Sequence, residues 1–384
     1  MDAYFQHMNQ VLRQVGTGLP QLIVDLPALQ QNLVRARHML PAELKPRLVV
    51  KSLACMELLK LCSTALNTQR LMLFHLPHLN IVLDEFPQAD ILFGKPMPIQ
   101  ALQRIPILQL KNCSSQVQWL IDSHIRLQQY LDYAVQHELC LNINIEIDVG
   151  LHRGGVKTNT ELAELLSVIQ QHLAQLKLSG LMGYDAHVSK IPSMIQAADK
   201  TYQQSQQSYQ QFKDFIRNDY PALYQDDLCW NGGGSPSFTF HCQQSVCNDV
   251  SFGSMLLKPQ DFDLNSLAQF QSALWIATPI LKLLPQPSLP QLEWLDRWSK
   301  GYQAAFIYGG YWRAAYVYPK GSKPHVLYGR SSNQEMVQIP RSAEIQIDDY
   351  VFLRPTQSES IIPQFAQLYA YDHQELMGWE SFRE

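Results

Sequence analysis

The stretch that most constrains this chain is Leu141 to Val156, LNINIEIDVGLHRGGV. Leu141, Ile143, Ile145, Ile147 and Val149 alternate with Asn142, Asn144, Glu146 and Asp148. That period marks a β-strand with one apolar and one polar face. An antiparallel strand with one wet face would look the same, but helical patterns flank this one, Leu127 to Glu138 before it and Thr160 to Leu173 after it. A strand between two helices belongs to βαβ units and a parallel sheet. If the apolar face meets the helices, the polar side chains point where no helix lies, which in a closed barrel is the interior leading to the mouth. The loop that follows carries His152, Arg153, Gly154 and Gly155. In a parallel barrel, chemistry sits at strand C-termini and in the loops after them.

The neighbouring sequence repeats the unit. Strands are expected at Leu22 to Asp25, Arg47 to Val50, Leu71 to Leu76, Ile91 to Phe93, Trp119 to Asp122, Leu178 to Ala186, Asp227 to Asn231 and Val246 to Gly253. Helices are expected at Ala28 to Leu40 and, long and polar, at Ser193 to Asn218. From Arg47 to Gly253, with the Leu141 strand, the count is eight, the number that closes a (β/α)8 TIM barrel. After about Pro259 the pattern changes to short β-rich runs: Ala273 to Leu284, Ala304 to Tyr308, Trp312 to Tyr318, His325 to Tyr328, Glu344 to Leu353 and Gln364 to Tyr371. Such spacing predicts an all-β second domain. The α/β barrel is assigned to residues 20–260 and the β domain to 261–384, with residues 1–19 packing on the latter.

Composition narrows the function classes. With 384 residues, 46% of them hydrophobic and 17% charged, the chain can bury a core large enough for two domains. A net charge of -4 leaves no polybasic face, so neither nucleic acid nor a membrane is an expected partner. The N-terminal MDAYFQHMNQVLRQVG shows no signal-peptide pattern, and no apolar run approaches about 18 residues, so a soluble cytoplasmic protein is expected. The seven cysteines form no CxxC pair, which points to buried thiols rather than a disulfide framework or a zinc knuckle.

Three features carry chemistry. Lys51 closes PRLVVKS, where a strand empties into the barrel mouth; partly desolvated there, its amine is nucleophilic toward an aldehyde. The same position also suits a surface lysine just past a strand. NGGGSPSF, Asn231 to Phe238, lets backbone approach an anion, with Ser235 capping the next turn and Pro236 at the first helical position. A triple glycine is equally an ordinary tight turn. Gly253 and Ser254 end the adjacent strand and face the same end of the barrel. Arg153, a cation between glycines, either holds an acidic oxygen of a bound ring or pairs with a nearby Asp or Glu. Tyr184 ends a strand and can pack on a planar group. His152, His187, Asp185, Glu146 and Asp148 read as hydrogen-bonding partners.

VVKS with Lys51, EIDVGLHRGGV at 146–156, GLMGYDAH at 180–187, NGGGS at 231–235 and FGS at 252–254 follow the order seen in fold-type III pyridoxal-phosphate enzymes. The chain resembles the D-threonine aldolase and D-serine dehydratase branch of the alanine racemase superfamily, from about residue 20 to the terminal WESFRE. The resemblance implies an N-terminal barrel, a C-terminal β domain, a homodimer and pyridoxal 5'-phosphate held by Lys51. It further implies that Arg153 contacts the ring's phenolic oxygen, that Tyr184 sits near the ring, and that the backbone at Gly234, Ser235, Gly253 and Ser254 holds the phosphate.

One departure stands out. In that branch a His-x-Cys or His-x-Asp pair just after a strand and a proline supplies a metal site; here VFLRPTQSES offers Gln357 and Glu359. Glutamine is a poor zinc ligand and one carboxylate seldom holds zinc alone. Glu359 reads as a general base, as a ligand for a harder ion such as Mg²⁺ or Mn²⁺, or as part of a solvated polar turn. Divalent-metal dependence is left open, and no metal ligands are assigned. The expected function is a lyase acting on small-molecule D-amino acids, with Lys51 and Glu359 as catalytic residues. An amino-acid racemase and a non-catalytic cofactor carrier are the alternatives; a carrier would need only the barrel.

Overall fold

The computed structural model describes residues 2–191, 196–285, 291, 301–325 and 327–382. A first strand, β1 (Gln21–Asp25), runs into the helix Leu26–Met39, whose start is set by Asp25. Its Oδ1 accepts from the Ala28 amide at 2.8 Å, and a proline occupies the first turn. Eight strands follow with helices between most of them: β2 (Lys45–Val49), β3 (Arg70–Leu73), β4 (Asp90–Phe93), β5 (Val117–Ile121), β6 (Leu141–Ile147), β7 (Leu176–Gly183), β8 (Cys229–Gly232) and β9 (Asp249–Phe252). Each pairs in parallel with the next, and β9 pairs with β2 to close the barrel.

The alternation in β6 works as its period requires. Leu141, Ile143, Ile145 and Ile147 pack outward in one buried cluster with Leu162, Leu165, Leu166 and Ile169 of the helix Asn159–Gln171. Asn144 points inward, its Nδ2 donating to Gln118 Oε1 on β5 at 3.1 Å and reaching Cys229 O on β8 at 3.4 Å.

The barrel interior is filled in tiers. Near the strand N-termini it is ionic. Arg47, fully buried, donates to Asp249 Oδ1 (2.8 Å), Asp249 Oδ2 (3.0 Å), Asp90 O (2.7 Å) and Asp90 Oδ2 (3.1 Å), and Arg70 stands 2.9 Å from Asp249 Oδ2. Every oxygen that faces the guanidinium is an acceptor, so the buried charge is both paired and hydrogen-bonded. Toward the strand C-termini the filling turns apolar: Met72, Leu92, Leu120 and Met182, with Val49 and Phe74 partly buried. That apolar tier is the floor of the mouth.

The second sheet holds β1 with β10 (Leu274–Leu284), β11 (Tyr302–Tyr308), β12 (Ala314–Tyr318), β13 (Lys323–Pro324), β14 (Gln334–Pro340), β15 (Tyr350–Pro355), β16 (Gln367–Tyr371) and β17 (Leu376–Glu380). Among the described residues its pairings are antiparallel except that of β1 with β16. Thus β1, which the sequence groups with the barrel, lies in the other sheet, because its fully buried run finds antiparallel β10 on one side and parallel β16 on the other. The helix Asp2–Val15 covers this sheet, packing Phe5, Met8 and Leu12 against Ile23, Trp275, Ala277, Tyr350, Phe352 and Tyr371.

Two expected β runs differ. Glu344 to Leu353 is strand only from Tyr350, because Asp349 Oδ2 accepts from the Gln346 amide and closes a turn ahead of it. Between His325 and Tyr328 the chain makes an isolated bridge, His325 to Gly329, and Val326 lies outside the described residues. The long polar helix spans Ala198–Asp219; the expected start at Ser193 also lies outside them. Five cysteines are buried, Cys242 is half-buried and Cys140 is exposed. Among the described residues no helix is long and apolar enough to cross a membrane.

Candidate active site at the barrel mouth

β2 stops at Val49, and the 3-10 turn Val50–Leu53 carries Lys51 just beyond it, one residue later than a strand running to Val50 would. The turn tips the lysine over the apolar floor, its Nζ 4.3 Å from the centroid of the Phe74 ring. On the other side Nζ lies 3.8 Å from Glu359 Oε1; the two side chains are 33% and 25% exposed, so neither is in bulk water.

Glu359 comes from the second sheet. β15 ends at Pro355 and Gln357 leads into the short helix Ser358–Ile361. That segment is clasped to the stretch after β9. The Asp261 amide donates to Thr356 O (3.0 Å), Gln357 Nε2 to Asp261 Oδ2 (2.9 Å), and Arg354 makes two 2.7 Å bonds to Asp263 and one of 2.8 Å to Lys258 O. The Ser254 hydroxyl sits between Ser52 Oγ (2.8 Å) and Glu359 Oε2 (3.3 Å). Among the described residues no group of three or more His, Cys, Asp or Glu side chains could hold a metal ion.

The Arg153 loop is pinned by Asp148. Its Oδ1 accepts from the amides of Gly150 (2.9 Å) and His152 (3.0 Å), and Oδ2 meets His152 Nδ1 at 2.8 Å. Burial pushes the Asp148 carboxyl up, and the bonds from His152 and Gly150 outweigh it and hold it low. Gly155 needs to be glycine: its φ is +86°, and a Cβ there would stand 2.9 Å from Glu146 O. Arg153 lies 4.7 Å from the Tyr184 ring centroid and 3.9 Å from Glu146 Oε1. Burial raises the Glu146 carboxyl, with Arg153 pulling it down and Asp122 and Asp148 pushing it up. The half-buried Tyr184 phenol is raised chiefly by desolvation.

The two small-residue turns meet differently from a simple cap. Ser235 Oγ does not cap the helix that follows it; it accepts from the amides of Gly253 (3.3 Å) and Met255 (3.1 Å), at the start of the short helix Ser254–Leu257, and so laces the two turns together. The helix after the triple glycine begins at Phe238, two residues beyond Pro236, with Ser237 before it. The Gly234 amide donates to Ser237 Oγ at 3.2 Å, and a Cβ on Gly234 would meet Tyr184 Cε2 at 2.7 Å.

Lys51, Arg153, Tyr184, Gly234, Ser235, Gly253, Ser254 and Glu359 all line one pocket, with Met72, Phe74, Asn231 and Phe262 among its other walls. His152 and His187 do not line it; His187 Nε2 instead meets Ser205 Oγ at 3.2 Å. Sequence inspection missed Ser52, Ser237 and His241. The last two stand four residues apart, the spacing of one helix face, and that was the signal available.

Residues 24–260 match the sequence model of the alanine racemase N-terminal domain. The chain belongs to the alanine racemase family. Its members share the fold-type III plan of parallel barrel plus β domain, and the superfamily uses pyridoxal phosphate. Among solved structures, the family member is similar to D-threonine aldolase from Filomicrobium marinum, with 15% identity, TM-score 0.73 and coverage of 94% of this chain and 96% of that one. D-threo-3-hydroxyaspartate dehydratase from Delftia sp. HT23 gives 16%, 0.72, and 97% and 99%. Alanine racemase from Bacillus anthracis gives 14%, 0.71, and 94% and 97%. At such identities these likenesses concern the fold. No curated protein matches the sequence.

Proposed function

We propose that this chain is a pyridoxal-phosphate-dependent lyase acting on D-amino acids that carry a β-hydroxyl group. The observation that carries the reading is the approach of Lys51 Nζ to Glu359 Oε1, 3.8 Å, inside the pocket. The residues there suit the cofactor. The Lys51 amine matches an aldehyde, Arg153 a phenolic oxygen, and the turns at Gly234–Ser235 and Gly253–Ser254 a phosphate. Both turns admit little beyond backbone, since a Cβ on Gly253 would stand 2.9 Å from Val49 O. Bound there, pyridoxal phosphate supplies an electron-withdrawing ring that stabilises negative charge at Cα when one of its bonds breaks.

Which bond breaks depends on the protein. Lys51 takes the Cα proton, and a protonated Glu359 beside it gives a proton to the departing β-hydroxyl, which leaves as water. An ionised Glu359 takes the hydroxyl proton instead, and the Cα–Cβ bond opens in the retro-aldol direction. The Ser254 hydroxyl, 3.3 Å from Glu359 Oε2, orients the carboxyl for either task. A racemase needs its acid and base on opposite faces of Cα, each within about 3 Å of it. Two groups 3.8 Å apart do not straddle a carbon in that way, so Glu359 serves Lys51 on the same face rather than as a racemase's opposite-face partner.

The test is to purify the protein, look for the visible absorbance of bound pyridoxal phosphate, and ask whether Lys51→Ala abolishes it. Assays with D-threonine, D-serine, D-hydroxyaspartate and D-alanine, with and without divalent ions, then separate the outcomes. Glycine plus an aldehyde identifies an aldolase, and a keto acid plus ammonia a dehydratase. Exchange and inversion at Cα with no carbonyl product identifies a racemase and overturns the lyase reading.

A further inference from the structure

Behind the triple-glycine turn, outside the pocket lining, lies a buried trio: Asp185, Ser237 and His241, each 1% exposed or less. Asp185 follows Tyr184 directly after β7. Its Oδ1 accepts from Ser237 Oγ at 2.5 Å and its Oδ2 faces His241 Nε2 at 2.9 Å. A carboxylate only accepts, so Nε2 carries a proton; the other ring nitrogen meets Ser245 Oγ at 2.9 Å. Ser237, having given its proton to Asp185, accepts from the Gly234 amide at 3.2 Å, and its own amide donates to Gly234 O at 3.0 Å. The imidazole lies flush against the turn. A Cβ on Gly233, where φ is +76°, would stand 2.9 Å from His241 Cδ2, and one on Gly232 3.1 Å from Cε1.

The turn is therefore shaped from behind by a carboxylate acting through a hydroxyl, and by an imidazole acting through contact. The carboxylate creates an electrostatic difficulty: buried beneath an anion-binding turn, it repels an incoming anion unless donors take up its charge. His241 Nε2–H, 2.9 Å from Oδ2, and the Ser237 hydroxyl, 2.5 Å from Oδ1, are those donors. Burial pushes the Asp185 carboxyl up, and the charge and hydrogen bond of His241 with the bond from Ser237 more than reverse this.

We infer that His241 is a positioning residue of the anion site: it holds Asp185 by a hydrogen bond and, through Asp185 and Ser237, keeps the Gly233–Ser235 turn in the shape that receives a phosphate group. The inference rests on the cofactor reading above and adds to it residues that touch neither cofactor nor substrate.

The experiment strips the purified protein of bound aldehyde and titrates it with pyridoxal phosphate and with pyridoxal, which lacks the phosphate, following absorbance. Wild-type protein should prefer pyridoxal phosphate. In His241→Gln the affinity for pyridoxal phosphate should fall roughly tenfold or more, the scale for partners that orient a binding group, while that for pyridoxal stays put. The double variant D185N/H241Q, with no bare carboxylate, should recover part of the loss. Ser237→Ala should weaken pyridoxal phosphate with the Asp185–His241 hydrogen bond intact, and with the double variant it carries the comparison should H241Q not fold. An unchanged phosphate preference in the variants, or an equal loss for both ligands, overturns the inference and leaves the cofactor reading standing. A wild-type protein with no preference overturns both.

Discussion

Lys51 Nζ and Glu359 Oε1 stand 3.8 Å apart across the junction between the barrel mouth and the second sheet. The amine sits over the Phe74 ring and the carboxyl group beside the Ser254 hydroxyl, so two proton-exchanging groups meet over an apolar floor from opposite ends of the chain.

Lys51→Ala should lose covalent cofactor and all turnover. Glu359→Gln keeps the shape and a hydrogen bond to Ser254 but cannot exchange a proton. It should therefore retain the visible absorbance while kcat falls about 10²-fold or more. Absorbance spectra and steady-state kinetics on the two variants check this; an E359Q enzyme with wild-type kcat removes Glu359 from the chemistry.

Arg354 should act on catalysis from a distance. Its two 2.7 Å bonds to Asp263 hold the segment that carries Glu359, and a lysine cannot reproduce the fork. R354K and R354M should each lower kcat roughly 10–100-fold, the effect of a small misplacement of a reacting group, with cofactor affinity unchanged. Equal loss of cofactor binding would mean that the clasp supports the whole mouth.

The ionic tier of the barrel predicts an acid-sensitive fold. Burial raises the Asp90 carboxyl, but the charge and bond of Arg47, with Arg70 and Gln118, hold it below the usual carboxylate range. For a depressed carboxyl the stabilisation is complete above the unfolded value of about 3.9 and is lost as pH falls through the folded value. The urea midpoint of the wild type should drop on acidification below about pH 4, and that of D90N should change less there. Arg47→Met, which leaves Asp249 buried without its main partner, should cost about 3–5 kcal/mol at neutral pH.

Gly155→Ala should destabilise the Arg153 loop. It combines a φ of +86° with a 2.9 Å approach to Glu146 O, a backbone atom that cannot move aside. A loss of about 1–3 kcal/mol in urea unfolding is expected, with weakened cofactor binding. Gly154→Ala, whose Cβ would meet nothing within 4 Å, is the neutral control.

The barrel strands were legible because β6 alternates and its neighbours repeat the pattern between helices. Strand ends were less so: Lys51 lies in a 3-10 turn, and Ser235 bonds to the start of the helix after β9 instead of its own following turn, because both depend on what the next strand presents. β14 begins with Gln334 and Glu335 and carries few apolar residues at its start, so it reads as loop although Val337 and Ile339 are fully buried. His241 was invisible as a partner of Asp185, since they lie 56 positions apart and the helix Phe238–Gln243 comes beside the end of β7 only when β8 pairs with β7.

By itself the sequence determined the barrel, the β-rich second half and the glycine turns. Those follow from the period of side chains along a backbone and from the φ values that only glycine adopts freely, both of which act within a few residues. Only the tertiary structure decided that β1 joins the second sheet, that Glu359 reaches Lys51, and that Asp185 meets His241. Charges act over ångströms of space rather than positions of chain, so their partners exist only once the barrel has closed and the second sheet has docked against its mouth.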